Sequence, residues 1–265
     1  MAILNLHPET GRTPASIGPG KRTAITTSGL LAAIAALVIA GSYFIVQLPP
    51  DTGRALLRED GPIESATAVF FLGACLCFHR IWTLRGRSPA RPGAGSERRI
   101  FFLILAFLMF VCMGEEISWG QRIFGWKTPE GWSAKNAQSE TNLHNLAIIE
   151  GGVRDPQTQS FLRSLTNANR VFALFWLTFF IAVPLLVRAS PAARSFASRL
   201  GLPVPSLWFG ALFLLNHAAF FLANQHLVAL HQNTTTVFPL DELKEQNDAL
   251  VYAVSGLVAW LHTRV

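Results

Sequence analysis

The sequence predicts an all-α, polytopic helical membrane protein with about six transmembrane helices and a long outer loop that contains short interfacial helices. Three observations lead to this prediction: 51% of the 265 residues are hydrophobic, only 14% are charged, and the apolar residues lie in long runs. A soluble domain carries about 25% charged residues. The chain divides into a flexible cytoplasmic tail, 1–27, and a single transmembrane helical domain, 28–265.

Six apolar stretches approach the length of about 20 residues that a helix needs to cross the hydrocarbon core of a bilayer. They cover residues 28–48, 63–84, 100–119, 170–188, 205–225 and 247–263. The last stretch is the weakest, because it is short and begins among charged residues. For the first stretch a cleaved signal peptide is the alternative, since Val38, Ile39 and Ala40 resemble a small-residue cleavage site. The apolar run nevertheless continues beyond these residues.

The distribution of Lys and Arg predicts the orientation in the membrane. With the N-terminus in the cytoplasm, 13 of the 22 Lys and Arg residues lie on the inner side, and the short Arg-rich loop 79–99 contributes most of the bias. We therefore predict a multi-pass protein of a bacterial inner (plasma) membrane with both termini in the cytoplasm. The basic residues form no single patch, so membrane lipid is the expected partner and nucleic acid is not.

In this orientation the polar clusters of the chain all fall on the outer side. They are EDGPIE (59–64), GEEISWGQR (114–122), ETNLHN (140–145), the amides and histidines of 216–226, and DELKEQND (241–248). The inner loops contain Arg, Ser, Pro and Gly and have no comparable clusters. This asymmetry predicts an outward-facing polar site at the membrane interface.

The segment GEEISWGQR supplies the first candidate site residues. If the third span continues as a helix to about residue 124, Glu115, Ser118, Trp119 and Arg122 share one face of it. Glu115 and Glu116 lie either in water at the headgroup level or in a polar cavity, because an ionised carboxylate at membrane depth needs a partner. Arg122 has the planar guanidinium that suits a phosphate or a carboxylate.

Two histidines complete the candidate set. His144 follows Glu140 by four residues, and His217 lies within the fifth apolar stretch, where an ionisable residue is a candidate for function. The alternatives are a surface helix for His144 and a hydrogen-bonded bundle histidine for His217. We predict Glu115, Glu116, Arg122, His144 and His217 as catalytic residues. Of these, Glu116, His144 and His217 are predicted to bind a divalent metal such as Zn, Mn or Fe.

The motifs GEEISWGQRIFGW, TPE and ETNLHN, together with EDGPIE and DELKEQNDAL, resemble the signature of an uncharacterised family of bacterial multi-pass membrane proteins. The resemblance covers roughly residues 54–265. It implies a bacterial origin and a multi-pass fold, and it implies no particular activity.

Three functions fit these features. The leading hypothesis is a metal-dependent hydrolase or transferase that acts on a lipid or lipid-linked substrate. The second is a non-catalytic subunit or assembly factor of a larger membrane complex, and the third is a small transporter. The sequence has no HExxH, GxSxG, P-loop or GxGxxG motif, which disfavours zincin, serine-hydrolase and nucleotide chemistry.

Overall fold

The computed structural model describes residues 19–58, 61–86, 99–134, 136, 139, 141–143, 168–230 and 238–263; for residues 19–25, 122, 168 and 169 it describes the backbone alone. All regular elements of these residues are helices, which confirms the all-α prediction. Most of the Arg-rich loop lies outside the described residues. So do residues 140 and 144, which carry two of the predicted polar side chains.

Helices lie in all six apolar stretches, although some of them begin or end several residues away from the predicted bounds. The helices are α1 Pro19–Ser42, α2 Pro50–Leu57, α3 Pro62–Gly86, α4 Ile100–Glu116, α5 Gln121–Phe124, α6 Glu130–Ser133, α7 Ala168–Trp176, α8 Val183–Ala189, α9 Pro191–Leu200, α10 Leu207–Ala229 and α11 Leu240–Thr263. Several of them begin with proline, whose fixed φ suits the first helical position and whose missing N–H would have no partner there.

Among the described residues, four helical segments are long and apolar enough to cross a membrane, and they associate the chain with a lipid bilayer. They are Thr26–Gln47, Pro50–Gly86, which includes α2 and α3, Arg170–Ala189 and Leu207–Ala229. The other two predicted spans, α4 and α11, are not among them. Helix α4 has only 17 residues, and α11 carries charged residues in its first half.

Helix α11, which the sequence ranks as the weakest span, is the most enclosed helix of the described structure. Thirteen of its 24 residues are buried, and it packs against α3, α1 and α10. It begins at Leu240, seven residues before the predicted start. Its low hydropathy follows from this position, because its polar side chains face other helices and not lipid.

The core around α11 is aromatic. Tyr252 is fully buried, and five phenylalanine rings have their centroids 5.2–6.3 Å from its ring: Phe71, Phe172, Phe175, Phe180 and Phe213. Tilted and edge-on ring pairs of this kind are favourable beyond their buried area. The cluster joins α3, α7 and α10 to α11.

The candidate membrane span Arg170–Ala189 changes its helical geometry in the middle. Residues Leu177–Ala182 form a π-helical segment between α7 and α8. Pro184 follows within the first turn of α8, and a proline cannot donate to the carbonyl four residues earlier, here that of Phe180. The proline therefore accounts for the local departure from α-helical hydrogen bonding.

The bundle has two ends of different chemistry. At one end α1 and α4 finish while α3 and α11 begin; we call it the acidic end, because it carries Glu64, Glu115, Glu116, Glu242 and Glu245. At the other end Ser28 of α1 lies 3.0 Å from His262 of α11. The Arg85 and Arg99 guanidinium groups lie over aromatic rings there, so we call it the basic end.

Candidate functional site

The acidic end is organised around a chain reversal directly after α4. The helix ends at Glu116, and Ser118, Trp119 and Gly120 have φ values of 45°, 54° and 80°. The left-handed backbone conformation is unfavourable for residues other than glycine. Because Ser118 and Trp119 both adopt it, contacts with the surrounding residues must hold them in this conformation. The predicted continuous helix to residue 124 is wrong, because these residues turn the chain away from the helix axis.

The reversal folds Trp119 back onto the end of α4. Its indole Nε1 donates a 2.6 Å hydrogen bond to Oε1 of Glu115. The ring covers Gly114, where a Cβ would lie only 2.9 Å from it. Glu115 and Trp119 therefore meet as predicted, but through a turn and not along a helical face.

The segment that precedes His144 packs onto this reversal. The backbone N–H of Leu143 donates to Oε2 of Glu115 at 2.5 Å. Asn142 donates to Ser118 Oγ at 3.4 Å. The side-chain amide of Asn136 donates to Oδ1 and to the backbone carbonyl oxygen of Asn142, at 2.7 and 2.9 Å. Two sequence motifs, GEEISWGQR and ETNLHN, thus come together in the fold.

A second set of hydrogen bonds fixes the same segment at Gln121. Its side-chain oxygen accepts from Thr128 Oγ1 at 2.9 Å and from the backbone N–H of Thr141 at 2.8 Å. The hydroxyls of Thr128 and Thr141 lie 3.1 Å apart. Residues 117–134 and the described residues of 136–143 therefore form an ordered cover, which we call the roof, over the end of α4.

Beneath the roof, carboxylates from three helices converge. The carboxylates of Glu64, Glu115, Glu242 and Glu245 lie near enough to Glu116 for their charges to act on it. Glu64 begins α3, and Glu242 and Glu245 begin α11. Like charges that act on one another disfavour full ionisation of all the groups.

A neighbouring polar network was not predicted from the sequence. Asn216 is fully buried; it accepts from the Tyr43 hydroxyl at 2.7 Å and donates to the Lys244 carbonyl and to Asp248 Oδ1, each at 2.8 Å. The Lys244 ammonium lies 3.7 Å from Asp248 Oδ2. The signal for this network is the i, i+4 spacing of Lys244 and Asp248, which puts both on one helical face.

His217, adjacent to Asn216, has different neighbours. Its Nδ1–H donates to the carbonyl oxygen of Phe213 in the same helix at 3.0 Å, which leaves Nε2 with the lone pair. Its ring centroid lies 4.9 Å from that of Trp176. The structure therefore places Glu116 among the carboxylates of α3 and α11, and His217 against the aromatic core.

The predicted metal site is only partly within the structure. Among the described residues, no group of three or more His, Cys, Asp or Glu side chains is arranged to hold a metal ion. His144 lies outside those residues, and of Arg122 only the backbone, in α5, is described. The metal set Glu116, His144 and His217, and the anion-binding role of Arg122, therefore stay predictions.

Comparison of the chain with known proteins gives no match to a family model, to a curated protein or to a solved structure. The resemblance of its motifs to a bacterial membrane protein family thus stays a prediction. The arguments for function come from the geometry of the acidic end.

Proposed function

We propose that the chain is an integral inner-membrane protein with six spans whose acidic end faces the extracytoplasmic side. Besides the four helical segments that are long and apolar enough to cross a membrane, α4 exposes Ile104, Phe107 and Phe110, which suit a lipid environment. Helix α11 is enclosed by the other helices and needs little contact with lipid. The positive charges of the basic end favour the cytoplasmic side for that end.

We further propose that the acidic end is the active site of a cation-dependent hydrolase or transferase for lipid or lipid-linked substrates. One observation supports this most: Glu115 holds the hydrogen-bonded roof over the end of α4, and the carboxylates of α3 and α11 act on Glu116 beside it. A divalent cation bound by Glu116 and by His144, which lies outside the described residues, would polarise a phosphate or ester oxygen of the substrate. Carboxylate-rich surroundings favour Mn among the metals considered.

The candidate residues have distinct roles in this proposal. Glu115 is a positioning residue, since both of its carboxylate oxygens hold the roof. Glu116 is the cation ligand or the acid–base group. Arg122 binds the substrate phosphate, and His144 and His217 are further ligands or proton carriers.

Titration of the purified protein with Mn²⁺ tests the proposal. We expect the wild-type protein to bind Mn²⁺, and Glu116→Gln to weaken binding at least about tenfold, or about 1.4 kcal/mol. Glu130→Gln is the matched control, because Glu130 is exposed on α6 outside the cluster. Absence of binding by the wild type, or equal binding by both variants, would contradict a cation site at Glu116.

A non-catalytic subunit or assembly factor is the second candidate function. Its support is that Ser118, Gln121 and Asn142 all use their side chains to build the roof, so these polar groups serve architecture. A stoichiometric partner that co-purifies in mild detergent, together with unchanged function of Glu116→Gln, would favour this alternative.

A small transporter has the least support. Between Tyr252 and the basic end, the buried residues of α11 are mostly small or apolar, among them Val254, Gly256 and Val258. A transport path would place polar groups there, near the middle of the bilayer.

A further inference from the structure

A groove opens between α1 and α10, toward the basic end of the bundle. Its α1 wall consists of Gly29, Ala32, Ala33 and Ala36, small residues at helical spacing that share one face. The volume of the groove is about 570 Å³, within the range of about 300–1,000 Å³ typical of ligand sites. The groove is separate from the carboxylates of the acidic end.

The groove has an apolar body and a polar mouth. Leu212 and Leu215 of α10 line the body, while Ser28, Ser206 and His262 line the mouth. At the mouth, Ser28 Oγ and His262 Nε2 are 3.0 Å apart. This division matches an amphipathic ligand with a long apolar part.

The position of Trp208 indicates where the mouth lies in the bilayer. Trp208 lines the groove close to Ser206 and has 71% of its surface exposed. Tryptophan with an exposed ring is typical of the boundary between headgroups and hydrocarbon. The mouth therefore lies at the level of the headgroups, and the body extends from there toward the middle of the bilayer.

The depth of the groove matches one leaflet. Ser28 and Ala36 are eight residues apart in α1, a rise of about 12 Å at 1.5 Å per residue. Half of the hydrocarbon core of a bilayer is about 15 Å thick. An acyl chain that enters at the mouth would therefore fill the groove and end near the bilayer midplane.

The sequence next to the mouth residues Ser28 and His262 is basic, which favours an anionic headgroup. In the sequence, Lys21 and Arg22 precede Ser28 by seven and six residues, and Arg264 follows His262 by two. Basic residues near a membrane surface attract anionic lipids. We propose that the groove binds one acyl chain of an anionic phospholipid from the leaflet at the basic end, with the phosphate at Ser28 and His262.

A photoactivatable lipid tests this proposal directly. The protein is reconstituted in phosphatidylcholine vesicles that contain a small fraction of phosphatidylglycerol with a diazirine in one acyl chain. We expect cross-links on residues 29–36 and 208–215. We also expect Ala33→Phe, which fills the groove, to lower their yield about tenfold, equivalent to about 1.4 kcal/mol.

The matched control is Ala40→Phe, an exposed position on α1 outside the groove, which should leave the yield unchanged. If Ala33→Phe does not give a monodisperse protein, Ala36→Leu makes the same test with a smaller side chain. Uniform labelling along α1, or equal labelling by a phosphatidylcholine probe, would overturn the proposal. A stripe of small residues can instead accept a helix of a second copy of the chain. If the wild-type protein is a dimer, and Ala33→Phe dissociates it without a change in the cross-linking yield, the proposal is also overturned.

Discussion

Trp119 donates its indole N–H to the carboxylate of Glu115 at 2.6 Å, although α4 ends between these two residues. The contact depends on the left-handed backbone of Ser118, Trp119 and Gly120, which returns the indole to the helix it has just left. Glu115 in turn accepts from Leu143. A single carboxylate thus joins the end of α4, the reversal and the roof.

Removal of the indole N–H should weaken this junction. Trp119→Phe keeps an aromatic ring over Gly114 but deprives Glu115 of a charge-assisted hydrogen bond, worth about 1.5–3 kcal/mol. We expect a decrease of that size in the free energy of unfolding, measured by denaturant titration in detergent micelles. Trp208→Phe, at an exposed ring on α10, is the control and should change stability little. Equal effects of the two substitutions would show that the bond to Glu115 adds no stability.

Gly114 should not tolerate a side chain. A Cβ there would lie 2.9 Å from the Trp119 ring, so Gly114→Ala should cost about 1–3 kcal/mol, as overpacking does. At Gly73 in α3 a Cβ would meet nothing within 4 Å, and Gly73→Ala should be neutral or stabilise the helix by up to about 1 kcal/mol. Thermal unfolding of both variants makes the comparison. An unchanged midpoint for Gly114→Ala would mean that the ring does not rest on this glycine.

The sequence predicts the helices well and the end of α4 poorly, for a physical reason. Long apolar runs and prolines at helix starts are local signals, and the predicted spans match α3, α4 and α10 within a few residues. The reversal at Ser118 and Trp119 has no local signal, because neither residue favours left-handed backbone. It is held by contacts with the distant residues 142 and 143.

Asn216 should be more important for stability than Asn224 in the same helix. Asn216→Leu leaves the Tyr43 hydroxyl and the Asp248 carboxylate without their buried partner, and each such group costs about 1–3 kcal/mol. Asn224, by contrast, donates to the Phe220 carbonyl of its own helix, at 3.2 Å. Asn224→Leu should therefore have a small effect on the unfolding free energy. The opposite order would contradict a central role for Asn216.

The ion pair between Lys244 and Asp248 should behave as a unit. The two charged groups are 3.7 Å apart, with 15% and 0% of their side chains exposed. Lys244→Met leaves a buried carboxylate uncompensated and should cost about 3–5 kcal/mol. Adding Asp248→Asn should recover part of this loss, because the remaining group is neutral. Additive losses in the double variant would show that the two residues do not interact.

The polar network shows why the sequence identified His217 but not its neighbour. An intramembrane histidine stands out in a sequence, whereas an asparagine such as Asn216 acquires its importance from the helices that surround it. Only the packing of α10 against α1 and α11 brings Tyr43, Asn216 and Asp248 together. Likewise, α11 looks like a weak span until its enclosure is known.

The most direct test of the account is the side of the membrane that each end of the bundle faces. Glu130→Cys introduces an exposed thiol on α6 at the acidic end, and Ser198→Cys introduces one on α9 near the basic end. Both would be treated with a membrane-impermeant maleimide in intact cells with a permeable outer envelope. The account predicts labelling of Glu130→Cys at once and of Ser198→Cys only after lysis. Labelling of Ser198→Cys alone in intact cells, or of both, would contradict an acidic end that faces the extracytoplasmic side.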